Sequence, residues 1–195
     1  MMRTAVIERE TLETKIFAEL NLDGEGKSQI STGIGFFDHM LTLWSKHGLF
    51  DLILKAEGDL VVDGHHTVED AGIVLGQALA KALGDKKGIR RYGTAFVPMD
   101  EALAMVSLDI SGRPYLAYSA DLSVQEIGGF ASELTEEFLR ALAVHSGTTI
   151  HVRLLAGKNA HHCVEAIFKA LARAFGEAVR KDERIQGVMS TKGAL

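Results

Sequence analysis

A five-residue motif occurs twice in this chain of 195 residues, and the two copies lie about half a chain length apart. The sequence HHTVE stands at residues 65–69 and HHCVE at residues 161–165. Duplicated folds keep an apolar pattern more readily than a set of polar residues. The shared histidines and the shared glutamate therefore predict two similar halves that carry the same chemistry.

Apolar residues recur with strand-like and helix-like periods in the same order in both halves. The first half is predicted as strand, strand, helix, strand and helix at residues 3–8, 15–22, 35–48, 52–62 and 65–84. The second half repeats this order at residues 102–110, 115–120, 134–145, 149–154 and 161–179. We therefore predict an α+β fold, a tandem duplication of a ββαβα half with helices packed on a mainly antiparallel sheet.

The duplication also determines the predicted domain organisation. Residues 1–195 are expected to form a single domain of two pseudo-repeats, at about 3–90 and 91–185, because the basic linker between them is too short to separate independent domains. A C-terminal tail at 186–195 follows and is predicted to bind substrate. The tail has little apolar anchoring, so we expect it to become ordered on a ligand or a neighbouring subunit.

Composition and charge exclude several classes of protein. The chain is 47% hydrophobic and 24% charged, as ordinary globular proteins are, and it lacks the run of about 18 apolar residues that a membrane span needs. Its net charge of -5 argues against general nucleic-acid binding, which requires a basic face. The one cysteine, Cys163, cannot form an internal disulfide, which predicts a cytoplasmic protein. Because Thr67 takes the same position in the first motif, we interpret Cys163 as a packing residue.

The spacing within each motif is typical of metal ligands on a helix. Residues i and i+4 of a helix share a face, so His65 and Glu69 point together, whereas His66 is rotated by about 100°. One segment can therefore supply two different metal ions, and two segments related by a pseudo-dyad can complete each other's sites. Aligning the first helices of the two halves adds His39 and Glu137 as candidate fourth ligands, one from each half.

The candidate ligand set contains imidazoles and carboxylates but no thiolate. Such a set disfavours a closed structural zinc site and suits Mn, Fe, Co or Ni in octahedral geometry. Four protein ligands per ion leave two positions open for water or substrate, as a catalytic site requires. The candidate metal ligands are His39, His65, His66, Glu69, Glu137, His161, His162 and Glu165.

Several cations in turns are suited to an anionic substrate. Arg113 is held between a glycine and a proline, and arginine binds phosphate in a bidentate manner. Arg91 lies at the end of the basic linker, while Ser190 and Lys192 lie in the tail beside a glycine. From the residues alone, the chain is predicted to be a metal-dependent enzyme that acts on a small anionic substrate.

Six motifs that follow one another along essentially the whole chain resemble those of the imidazoleglycerol-phosphate dehydratase family of histidine biosynthesis. They lie at residues 37–41, 64–70, 98–101, 111–115, 159–166 and 190–193. The resemblance implies a lyase that removes water from D-erythro-imidazole glycerol phosphate to give imidazole acetol phosphate. It implies two Mn²⁺ ions per active site, with other divalent transition metals as substitutes. It also implies a homo-oligomer of 24 subunits with active sites at subunit interfaces.

The functional positions of the family can be carried over residue by residue. The eight candidate ligands fall on its metal ligands, although many members have histidine where this chain has Glu137. Glu13, an unremarkable exposed carboxylate by chemistry alone, falls at a catalytic position. The resemblance thus implies that Glu13 moves protons together with Glu69 or Glu165. The substrate-binding positions are Arg91, Arg113, Ser190 and Lys192.

The residues by themselves are also compatible with two other functions. A dinuclear metal-dependent hydrolase of a small phosphate ester would use similar donors, but its two metals would lie about 3.5–4 Å apart and share a carboxylate. The separate faces of each motif instead predict metals that are held apart. A metal-storage protein would account for the histidines, but it would not need the arginines and the lysine.

Overall fold

The computed structural model describes residues 3–122 and 126–195 of the chain. The first half contains β1 (Thr4–Glu10), β2 (Thr14–Asn21), β3 (Ser28–Ser31), α1 (Gly35–Gly48), β4 (Asp51–Gly58) and α2 (His65–Leu83). The second half contains β5 (Tyr92–Met99), β6 (Ala102–Asp109), β7 (Tyr115–Ser119), α3 (Leu134–Ser146), β10 (Thr149–Ala156) and α4 (Ala160–Ala178). A small hairpin of β8 (Glu126–Ile127) and β9 (Phe130–Ala131) stands between β7 and α3.

Each half forms a four-stranded sheet with the same strand order. The first sheet has the order β1-β2-β4-β3 and the second has the order β5-β6-β10-β7. In both sheets two pairings are antiparallel, and the last pairing, of β4 with β3 or of β10 with β7, is parallel. The predicted α+β class, the duplication and the mainly antiparallel pairing are therefore confirmed.

Apart from the small β8–β9 hairpin, which is also not predicted, each half is nevertheless βββαβα and not ββαβα, because each four-stranded sheet contains one strand that the apolar pattern does not reveal. β3 has only one apolar residue in four, so its alternation carries no hydrophobic signal. β5 has an inverted pattern, since Gly93 and Ala95 face inward while Tyr92 and Phe96 are exposed. A Cβ atom on Gly93 would lie 1.9 Å from the carbonyl oxygen of Ala174 in α4, so the helix packs on bare backbone there.

The strand predicted at residues 52–62 is also shorter than expected. β4 ends at Gly58, and the chain then turns, with the backbone N–H of Val62 donating to the carbonyl oxygen of Asp59. This turn carries the side chain of Asp59 to the N-terminal end of α2.

Helices of one half pack against helices of the other half. α1 contacts α4, and α2 contacts α3. The second contact is close, because a Cβ atom on Gly72 would lie 2.8 Å from the carbonyl oxygen of Phe138, and one on Gly76 would lie 2.8 Å from the Cβ atom of His145. The buried apolar side chains of both halves form one cluster. Within the described ranges, no helix has the length and hydrophobicity to cross a membrane.

Candidate metal centre

Three side chains from both halves of the chain converge where α1 packs against α4. His39 comes from α1, and His161 and Glu165 come from α4. The Oε2 atom of Glu165 lies 3.6 Å from Nε2 of His39 and 3.3 Å from Nε2 of His161. Across residues 3–122 and 126–195, this is the group of three donors that lies close enough to hold a metal ion, with all its ligand atoms within 4.8 Å of one another.

The first motif gives a looser pair at the start of α2. His65 and Glu69 share a helix face, as their spacing predicts, with Nε2 of His65 lying 3.9 Å from Oε2 of Glu69. Glu137 lies on α3, the helix that packs against α2, but its carboxylate is directed to Arg140, whose Nε atom is 3.8 Å away. The structure of one chain therefore does not gather His65, Glu69 and Glu137 as it gathers the His39 group.

The second histidine of each motif points away from the first. The rings of His65 and His66 are inclined at 87°, and those of His161 and His162 at 82°. Each outward ring has a carboxylate partner. Nδ1 of His66 donates to Asp59 at 3.0 Å, and Nδ1 of His162 donates to Glu101 at 2.8 Å. These contacts raise the pKa of both imidazoles.

The side chain of Glu101 is held by several hydrogen bonds. Its carboxylate also accepts the backbone N–H groups of Lys158 and Asn159, at 3.1 and 2.8 Å. The hydrogen bond from His162, followed by these backbone N–H groups, lowers the pKa of Glu101 to about 2. The side chain is therefore a carboxylate at every pH at which the protein would work.

Glu165 is buried, and its charge is compensated within α4. Its Oε1 atom lies 2.6 Å from Nζ of Lys169, one helical turn later, and the two side chains are only 8% and 17% exposed. Burial raises the pKa of the Glu165 carboxyl, but the hydrogen bond from Lys169 and the nearby imidazoles of His39 and His161 outweigh it, so the pKa is below its usual value. Glu165 is thus ionised and available as a ligand.

The predicted anion-binding residues line a second feature, a groove of about 790 Å³ formed by Arg91, Arg113, Ser190 and Lys192 with neighbouring tail residues. Arg91 is buried and fixed, because its guanidinium donates to Asp109 at 2.6 and 3.0 Å and to the carbonyl oxygen of Met189 at 2.6 Å. The last of these contacts fastens the C-terminal tail over the groove.

The groove and the metal centre lie at opposite ends of the second sheet. Arg91 stands just before β5, and Glu101, the partner of His162, stands just after it. β5 has eight residues, and at roughly 3.3 Å per residue such a strand is about 25 Å long. A small-molecule ligand is much shorter than this and cannot contact both features of one chain.

Comparison with known proteins identifies the chain's relatives. A family model described as imidazoleglycerol-phosphate dehydratase matches residues 32–175. The chain belongs to this family. Proteins named imidazoleglycerol-phosphate dehydratase are 61% identical over 195 residues in Acetivibrio thermocellus, covering 100% of both chains, and 64% identical over 191 residues in Clostridium botulinum (strain Kyoto), covering 98% of this chain and 97% of the relative.

Solved structures of the family have the same fold. The imidazoleglycerol-phosphate dehydratase of Staphylococcus aureus superposes with a TM-score of 0.83 at 44% identity and covers 92% of this chain and 99% of its own. The enzyme of Pyrococcus furiosus superposes with a TM-score of 0.85 at 42% identity and covers 97% and 100%. The chain is accordingly a dehydratase of histidine biosynthesis, a carbon–oxygen lyase. This assignment leaves neither the hydrolase nor the metal-storage alternative with support.

Three residues of the site are not predicted from the sequence motifs. Asp59 and Glu101 resemble ordinary surface carboxylates in turns, and only their position before the motif helices or within the 98–101 motif hints at a role. Lys169 follows Glu165 by four residues on a helix, which is a signal for an ion pair. The sequence does not indicate that the side chains of Glu165 and Lys169 are both largely removed from solvent.

Proposed function

We propose that this chain catalyses the metal-dependent dehydration of D-erythro-imidazole glycerol phosphate to imidazole acetol phosphate, as a cytoplasmic homo-oligomer. The family relationship supports the reaction class. The observation that carries metal dependence is the convergence of His39, His161 and Glu165, which come from separate halves of the chain and place all their ligand atoms within 4.8 Å of one another.

The donor chemistry of these residues fits two Mn²⁺ ions better than zinc. The donors are imidazole nitrogens and carboxylate oxygens, which suit octahedral metals such as manganese. The one thiol, Cys163, is buried and packs beneath Gly157, outside the group of donors. His39, His161 and Glu165 would hold one ion, and His65 and Glu69 would contribute to the other, with Glu137 as a further candidate. When bound, the ions would supply Lewis-acid polarisation and a template for the substrate.

Glu13 is the carboxylate best suited to transfer protons. It lies in the turn between β1 and β2, its side chain is 54% exposed, and its Oε2 atom is 3.8 Å from Nδ1 of His66, beyond hydrogen-bonding distance. It is therefore close to the metal-binding end of the first half without being bound there. Glu165, by contrast, is held by Lys169 and is better suited to binding than to proton transfer. Glu69 remains exposed enough to take a second proton.

The groove would hold the phosphate of the substrate. Arg91 and Arg113 both approach Asp109, so the groove already contains one acidic partner that keeps the guanidinium of Arg91 in place. Arg113 is the more exposed of the two arginines and is free to turn towards a bidentate phosphate. The hydroxyl of Ser190 and the ammonium of Lys192 lie on the tail side of the same groove.

The separation of groove and metal centre supports an oligomer with shared active sites. Because the two features lie at opposite ends of β5, a small substrate can contact both only if a second copy brings its groove to the first copy's metal centre. His66 and His162 point away from the donors of their own motifs, and in an assembly they would complete the sites of neighbouring copies. We take the assembly to be the 24-subunit shell that the family resemblance implies.

Removal and return of the metal tests this function. Protein stripped of metal with a chelator should show no turnover of imidazole glycerol phosphate, and Mn²⁺ should restore formation of imidazole acetol phosphate. Arg113→Ala is a matched control, since it should keep Mn²⁺ bound but lose affinity for the substrate. An assembled, Mn²⁺-loaded protein that leaves the substrate unchanged would contradict the proposal.

A further inference from the structure

The two outward histidines are held in the same way. Nδ1 of His66 donates to Asp59, and Nδ1 of His162 donates to Glu101. A carboxylate can only accept, so the proton lies on Nδ1 and the lone pair of each ring lies on Nε2. In both rings Nε2 is therefore the nitrogen able to bind a metal.

The two carboxylates do not occupy equivalent positions in the repeat. Gly58 and Gly157 are equivalent, because a Cβ atom on Gly58 would lie 2.1 Å from Oγ1 of Thr67, and one on Gly157 would lie 2.3 Å from Sγ of Cys163, the matching residue of the second motif. Asp59 follows Gly58, whereas a lysine follows Gly157. The second half thus has no carboxylate at the position from which the first half holds its histidine.

The second half obtains its carboxylate from another turn. Glu101 directly precedes β6, the second strand of its sheet, just as Glu13 directly precedes β2. Glu101 contacts His162 at 2.8 Å, while Glu13 remains 3.8 Å from His66. The same hydrogen bond is therefore made from two unrelated positions, and common ancestry of the halves does not account for it. A requirement for the contact itself does.

We propose that Asp59 and Glu101 are positioning residues that orient His66 and His162 for metal binding, an inference that rests on the proposed function. The carboxylate fixes the tautomer and the orientation of the ring and makes its free nitrogen more basic, as outer-shell partners of metal-bound histidines do. The positioning role of Asp59 and Glu101 also accounts for the difference between Glu13 and Glu101. Because Asp59 holds His66, Glu13 is free for the substrate, whereas Glu101 is engaged by His162 and by two backbone N–H groups.

A Mn²⁺ titration of the metal-free, assembled protein tests this inference without recourse to activity. Free Mn²⁺ can be followed by its electron paramagnetic resonance signal. Asp59→Ala and Glu101→Ala should each weaken Mn²⁺ binding about 10- to 100-fold. Asp59→Asn and Glu101→Gln keep an acceptor oxygen but remove the charge, so they should show a smaller loss. Glu10→Ala is the control, since Glu10 is an exposed acid at the end of β1 that pairs with Lys15.

Two measurements keep the outcomes distinct. Each metal-free variant should keep the oligomeric state of the unaltered chain, and the titration should be run well below each variant's own thermal unfolding midpoint, so that a loss of Mn²⁺ binding does not reflect unfolding or disassembly. If the unaltered chain binds Mn²⁺ and both alanine variants bind it within about twofold as tightly, the positioning role is wrong while the metal assignment stands. If the unaltered chain itself binds no Mn²⁺, the proposed function fails.

Discussion

The two copies of the histidine motif have nearly the same sequence but different surroundings. In the second half, Glu165 is 8% exposed, lies against Lys169 and has two imidazoles within 3.6 Å. In the first half, Glu69 is 47% exposed and has one imidazole at 3.9 Å. The residue that matches Lys169 in the first half is Ile73. One motif is therefore assembled within the chain, and the other remains open.

This difference shows that a helix motif alone does not gather a group of candidate metal ligands. The second motif becomes a group of three donors because α1 brings His39 from the other half, and the partly buried Lys169 keeps the carboxylate of Glu165 charged. The first motif faces α3, where Glu137 is directed to Arg140. We infer that the first site is completed by a neighbouring copy, and the predictions that follow test this contrast.

The largest expected difference between the two motifs is in stability. Glu165→Gln leaves the ammonium of Lys169 largely buried without its counter-charge, which should lower the free energy of unfolding of the metal-free protein by about 3 kcal/mol. Glu69→Gln alters an exposed side chain and should change it by no more than about 0.5 kcal/mol. Urea unfolding of both variants measures this, and equal losses would contradict the contrast between a buried and an open motif.

The second largest expected difference between the two motifs is in their affinity for the metal ion. In a Mn²⁺ titration of the metal-free protein, the site that contains His39 should fill first because its donors are already gathered. His39→Asn should weaken this tighter site by at least about 100-fold, because the loss of a direct ligand should cost no less than the loss of an outer-shell partner. His65→Asn should act on the weaker site. If His65→Asn instead abolishes the tighter phase, the order of the two sites is the reverse of that inferred here.

The two contacts between helices of different halves should also differ. A Cβ atom on Gly72 would lie 2.8 Å from backbone and from the Cβ atom of Ala141, whereas one on Gly176 would lie 3.0 Å from the carbonyl oxygen of Gly48. Gly72→Ala should therefore cost about 1–2 kcal/mol despite the better helix propensity of alanine, and Gly176→Ala should cost less. The thermal unfolding midpoints of the two variants measure this difference, and a larger loss in Gly176→Ala than in Gly72→Ala would contradict it.

The smallest expected effect concerns the two turn glutamates at low pH. The folded-state pKa of Glu101 is about 2, below its ordinary value of 4.5, so its contribution to stability is present above 4.5 and is lost as the pH falls towards 2. The unfolding midpoint of the metal-free protein should fall less steeply below about pH 4.5 in Glu101→Gln than in the unaltered chain. Glu13→Gln is the matched control, and an identical slope in all three proteins would argue against the His162 contact.

Much of the fold follows from the sequence because the repeat is visible in polar residues as well as in apolar periodicity. The i, i+4 spacing correctly predicts that His65 shares a helix face with Glu69 and that His161 shares one with Glu165. It also correctly predicts that the second histidine of each motif points elsewhere. β3 and β5 are not predicted, because one is almost entirely polar and the other faces inward with glycine and alanine.

The rest of the site depends on which helices pack together, and periodicity does not specify this. A helical pattern places His39 on a face of α1, but only the packing of α1 on α4 brings it to Glu165. Asp59 and Glu101 depend on the course of two turns, and no local rule connects either of them with a histidine 7 or 61 residues further along the chain. The roles of all the candidate metal ligands, of Glu13 and of the groove residues stay predictions.

The central claim is that the metal centre of one copy and the anion groove of another form each active site. His39→Asn and Arg113→Ala should each be inactive alone, since one damages the metal centre and the other the groove. Oligomers reassembled from equal amounts of the two should recover about a quarter of full activity, because an intact centre then meets an intact groove by chance at that frequency. Mixed oligomers that remain as inactive as their parents would show that both features serve the same chain and would contradict the account.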